Sequence, residues 1–67
     1  MNDRELIRDV GTALYGEHWL TPLAAELSID SRTVRRWAAG QREMPTAVQE
    51  KLWALVRERI RELERLL

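Results

Sequence analysis

Five interruptions divide this chain before any residue is given a role. Gly16, the pair Thr21-Pro22, the triplet Ser28-Ile29-Asp30, Gly40 and Pro45 read in turn as a helix stop, a helix start, a turn, a second stop and a second start. Between them apolar residues recur at intervals of three and four, and no alternating strand pattern occurs. The first segment runs from Asp3 to about Tyr15, with Leu6, Ile7, Val10 and Leu14 on one face and Asn2 or Asp3 available as its cap. The second opens with Thr21 as N-cap and Pro22 at the first helical position, buries Leu23, Ala24 and Leu27, and ends near Ser28. Asp30 caps the third, which turns Val34 and Trp37 inward and closes at Gly40. The fourth opens at Pro45 and meets no breaker before Leu67, a run of about 35 Å at the helical rise per residue. The expected architecture is all-α: one compact four-helix domain spanning residues 1–67, with a long C-terminal helix over about 45–67.

The chain has 67 residues, room for a single domain with little stability to spare. It contains no cysteine and one histidine, His18, so neither a disulfide framework nor a zinc site of the usual kinds is expected, and no metal or cofactor. No phosphate-binding loop or catalytic triad is present, which argues against an enzyme. Neither a membrane-spanning run nor a signal-peptide core appears, so a soluble cytoplasmic protein is expected. The formal net charge is zero, but its distribution is uneven. Residues 1–30 carry Arg4 and Arg8 against Asp3, Glu5, Asp9, Glu17, Glu26 and Asp30, whereas residues 31–42 carry Arg32, Arg35, Arg36 and Arg42 with no acid. A basic stretch set in acidic surroundings points to an anionic partner at one face.

That stretch lies in a pair of short helices joined by a tight turn. From Leu23 to Gly40 each apolar position has a steric reason in a helix-turn-helix. Ala24 is small where the helices cross, Ile29 plugs the turn, and Val34 with Trp37 packs the second helix on the first. Ser31, Arg32, Arg35 and Arg36 are left on the opposite face, paired at i, i+4. The phrase Leu-Ala-x-x-Leu-x-Ile-Asp-x-Arg-Thr-Val-Arg-Arg-Trp-x-x-Gly, followed by Met44-Pro45, resembles the helix-turn-helix of the lambda repressor and Cro type, the Cro/C1 group of DNA-binding regulators. The resemblance covers about residues 16–50, with the motif itself at about 21–39. Two positions depart from the family pattern. Ser28 stands where the family turn usually has glycine, and Leu20-Thr21 stands where it often has glutamine, so no glutamine contact is carried over.

The resemblance implies a lambda-repressor-like fold whose second motif helix enters the major groove of double-stranded DNA. By position it nominates Ser31, Arg32, Arg35 and Arg36 for reading bases, arginine being suited to guanine by its forked donors. Thr21, Thr33, Gln41, Arg42 and Trp19 become candidates for the phosphate backbone. Plainer readings stand beside these. The arginines can solvate an exposed helix, Gln41 can be an ordinary loop residue, and the Trp19 ring can cover the core. Small dimeric repressors and autorepressors of phages or mobile elements, including those encoded beside anti-CRISPR genes, are the expected company. No small-molecule ligand is expected.

The fourth segment carries two apolar registers. Val48, Leu52 and Leu55 suit the domain core, while Trp53, Val56, Ile60, Leu63 and Leu67 follow the 3, 4, 3, 4 rhythm of a helix–helix seam. This second stripe is the expected homodimer interface, the alternative being that it folds back on Leu6, Ile7 and Val10. A different class of function also fits a long amphipathic helix: a protein-interaction module such as an antitoxin or adaptor.

Overall fold

Asn2 decides where the chain first coils. In the computed structural model, which describes residues 2–67, its side-chain oxygen accepts from the Glu5 N–H at 2.8 Å, satisfying one of the donors a helix start leaves open. Four helices follow: α1 (Asp3–Tyr15), α2 (Leu20–Leu27), α3 (Ser31–Ala38) and α4 (Thr46–Glu64). Among the described residues there is no strand, and no helix is long and apolar enough to cross a membrane.

The four largest side chains wholly removed from solvent are Ile7, Leu23, Val34 and Leu52, one from each helix. Around them the core closes with Leu6, Val10, Ala24, Leu27, Trp37, Ala38, Met44 and Val48. The helical periodicity selected most of these positions; Ala38 and, from the loop before α4, Met44 are added, while Leu14 and Leu55 are only partly buried. Asp30 caps α3 as expected, its Oδ1 accepting from the Arg32 N–H at 2.6 Å. Ser28 closes α2 in the left-handed conformation at φ 57, a region that costs a non-glycine residue about 1 kcal/mol. The turn then donates twice into α2, from the Ser28 N–H to Ala25 O and from the Ile29 N–H to Ala24 O. Ile29 packs half-buried on the core.

Three boundaries differ from expectation. Thr21 is not the N-cap of α2: Trp19 holds that place, without a side-chain hydrogen bond. The first helical bond of α2 runs from the Leu23 N–H to Trp19 O, so Pro22 sits where a donor would have no partner, and proline is tolerated there as well as at the first position. Pro45 flanks α4 as its N-cap rather than lying inside it. At the other end α4 stops at Glu64 and the last residues turn, which leaves Leu67 beyond the helix and fully exposed.

Gly11 is buried in the middle of α1, where glycine costs a helix up to about 1 kcal/mol relative to alanine. A Cβ at this position would lie 2.6 Å from Trp19 Cδ2, far inside van der Waals contact. The indole therefore occupies the space a side chain would need. Gly11→Ala is expected to lower the melting temperature, because displacing Trp19 costs about 1–3 kcal/mol, more than the gain in helix propensity. Thermal unfolding followed by circular dichroism checks this; a rise in melting temperature would mean the ring does not rest on Gly11.

Candidate nucleic-acid interface

The eight residues of α3 divide into two faces. Val34, Trp37 and Ala38 are buried, while Ser31, Arg32, Arg35 and Arg36 are exposed on the other side. None of the four side chains takes part in a hydrogen bond among the described residues. Thr33, nominated for the backbone, lies half-buried at the border between the faces. A helix this short holds such a face only because the turn and Asp30 set its rotation while Val34 and Trp37 anchor it.

Two clefts flank α3 and gather the remaining candidates. The first, of about 370 Å³, brings Trp19, Thr21 and Arg35 together with Arg8 of α1 and His18, and Glu17 also lines it. The start of α2 borders this cleft, and the N–H groups of Leu20 and Thr21 precede the first helical bond of α2, so they carry the partial positive charge of a helix N-terminus. Trp19 joins chiefly through its ring against Gly11, a packing role beside the backbone contact for which it was nominated. The second cleft, of about 520 Å³, holds Gln41 and Arg42 with Arg4, Trp37 and the acids Asp3 and Glu43. Gly40, at φ 76, leaves α3 in a conformation side chains rarely adopt, and the Arg4 guanidinium rests on it, 3.3 Å from where a Cβ would stand. Trp37 is only 4% exposed, and its Nε1 has no hydrogen-bond partner.

Arg4 and Arg8 were not singled out from the sequence, since they sit among acids in the first thirty residues. Their i, i+4 spacing was the available signal, because it sets both on one face of a helix. Folding lays that face beside the end of α3, so the basic surface extends beyond the run from Arg32 to Arg42.

The loop carrying Gln41 and Arg42 is held from outside. Asp3, freed from capping by Asn2, accepts from the Met44 N–H at 3.2 Å and from Gln49 Nε2 at 2.7 Å. One carboxylate thus ties the start of α1 to the entry of α4. At the opposite end Arg59 Nη2 donates to Leu14 O at 2.6 Å, satisfying a carbonyl that the end of α1 leaves open. Acid collects beside this second tie, in a cleft lined by Tyr15, Glu26, Glu58, Glu62 and Arg59. There burial first, and then the Glu26 carboxylate, push the Tyr15 phenol above its ordinary value, against the opposing pull of Arg59.

Of the nominated seam, Trp53 and Ile60 are about half exposed, at 45% and 50%, and Leu63 at 53%. Val56, partly covered by the core of its own domain, is less open than Trp53, Ile60 and Leu63. It borders both registers, because Leu52 of the core lies one turn before it and Ile60 of the seam one turn after. No cluster of three or more potential metal-binding side chains occurs among the described residues.

Asp3→Ala is expected to cost about 1–3 kcal/mol, since it leaves the Met44 N–H and the Gln49 amide without their charged acceptor. The urea unfolding midpoint measures it, and an unchanged midpoint would mean that the tie is open in solution. Compared with protein-family models, with curated proteins and with solved structures, the chain matches none.

Proposed function

We propose that this chain is a sequence-specific DNA-binding transcription regulator, a dimeric repressor or autorepressor that grips a pseudo-palindromic operator through the major groove. The observation carrying the proposal is the exposed face of α3, three arginines and a serine with no acid among them. Solvated helix faces normally mix charge signs, whereas this one suits the acceptor edges of guanine. Arginines in the two flanking clefts support it, although Asp3 and Glu43 balance the charge of the second. Arg8 and Arg35 beside the start of α2, and Arg4 and Arg42 on the other side of α3, suit phosphates on the two walls of a groove. Acid gathered at the end of α1 and along α4 would keep the opposite surface away from DNA.

In this reading a two-fold dimer sets its reading helices about 34 Å apart, one turn of DNA, and repression is by occupancy of a site that polymerase needs. Regulation comes from protein concentration acting through dimerisation. Such a protein acts in the bacterial cytoplasm. The exposed end of α4 favours a second reading, a protein-interaction module of the antitoxin or adaptor kind, which would not bind DNA in a strongly salt-dependent way.

Selection of bound sites from random duplex DNA, followed by titration at several salt concentrations, is the direct test. Arg36→Ala is expected to lose about 1–3 kcal/mol per half-site and to relax preference at one guanine-containing position. Arg42→Ala should weaken all sequences alike and reduce the salt slope by about one ion per site. Selection that recovers no common site, together with an Arg36→Ala variant that binds as well as the wild type, would remove the major-groove assignment.

A further inference from the structure

We infer that two copies of this chain pair through parallel, in-register α4 helices, with Arg59 of each reaching Glu64 of the other. The inference rests on the dimeric reading above and adds the direction of pairing. The first half of α4 belongs to its own domain, through buried Val48 and Leu52, and the Arg59 bond to Leu14 O is its last tie to α1. From Ile60 onward every residue is exposed. The molecule is 40 Å long and about 22 Å across, so a projecting helical end accounts for its elongation. Trp53, Ile60 and Leu63 lie on one side of α4 and each is about half exposed, at 45–53%. A second copy offers the matching stripe, and a two-fold contact requires one surface to complement itself.

Among registers that enclose the whole stripe from Trp53 to Leu63, direction follows from the flanking charges. With Trp53 and Ile60 at the first core position of each heptad and Val56 and Leu63 at the second, Arg59 immediately precedes a core position and Glu64 immediately follows one. In parallel helices these flanking positions face each other across the seam, five residues apart. The arrangement gives two Arg59–Glu64 pairs per dimer. An antiparallel pairing that set Trp53 against Leu63 and Val56 against Ile60 would instead bring Arg57 near Arg57 and Arg59 near Arg59. Within a parallel coiled coil, a β-branched residue at the first core position and leucine at the second, here Ile60 and Leu63, is the combination that favours two strands over three or four. Arg59 has donors to spare after its bond to Leu14 O, since a guanidinium carries five. One side chain would then join the end of α1 to the second copy.

The absence of native cysteine makes the direction measurable. Sedimentation of the wild type at about 100 µM reads the oligomeric state of a contact this short, and Leu63→Cys is then oxidised beside Arg61→Cys as an off-seam control. The expected result is a wild-type dimer, with linked chains from Leu63→Cys and few from Arg61→Cys. Glu64→Arg, which replaces two attractions by two repulsions at exposed positions, should weaken the dimer about fivefold. A dimer in which Leu63→Cys does not link, while Leu63→Cys mixed with Trp53→Cys does, would overturn the parallel direction and leave the dimeric reading standing. A wild type that remains monomeric would overturn both.

Discussion

Ile7, Leu23, Val34 and Leu52 are wholly buried in one core, and nearly everything else about the chain depends on that core. Each comes from a different helix and none touches solvent. A domain of this size cannot afford two cores, so one shared core fixes the rotation of the four helices. The rotation of α3 matters most for function. With Val34 locked inward, Arg32, Arg35 and Arg36 have nowhere to point but out.

The polar ties act on the periphery of that core, and both act on helix ends. Asp3 binds the Met44 N–H and Gln49, while Arg59 binds Leu14 O. α4 is thereby fastened near both ends of α1 and runs alongside it in the same direction. These bonds are partly buried, where losing a partner costs more than it does in water. Their effect on function is positional: the loop bearing Arg42 is set by a carboxylate some forty residues away in sequence.

Charge is distributed by the same packing. Arg8 and Arg35 outnumber Glu17 in one cleft beside α3, the exposed face of α3 adds Arg32 and Arg36, and acidic side chains collect where α1, α2 and α4 meet. A chain with zero formal net charge therefore has faces of opposite sign. The field near an approaching polyanion depends on which face it meets, and total charge says nothing about that.

Much of this was legible in the residues alone, because helices are local. The four segments, the Asp30 cap, the Ser28 turn and the inward face of α3 all follow from hydrogen bonds and periodicities that span a few neighbours. The nominated residues Ser31, Arg32, Arg35 and Arg36 were found by that same local rule. What the tertiary structure alone decided involves residues far apart in sequence. Asp3 looked like a possible cap and became a tie once Asn2 took the capping role. The ring of Trp19 fills the space beside Gly11, and Arg4 and Arg8 joined the basic surface only when α1 lay beside α3. Val56 was divided between two registers by how deeply α4 sits on its own core. Capping, turning and amphipathic spacing are short-range and can be read along the chain, whereas contacts between distant segments exist only after the shared core has set the angles at which the helices meet.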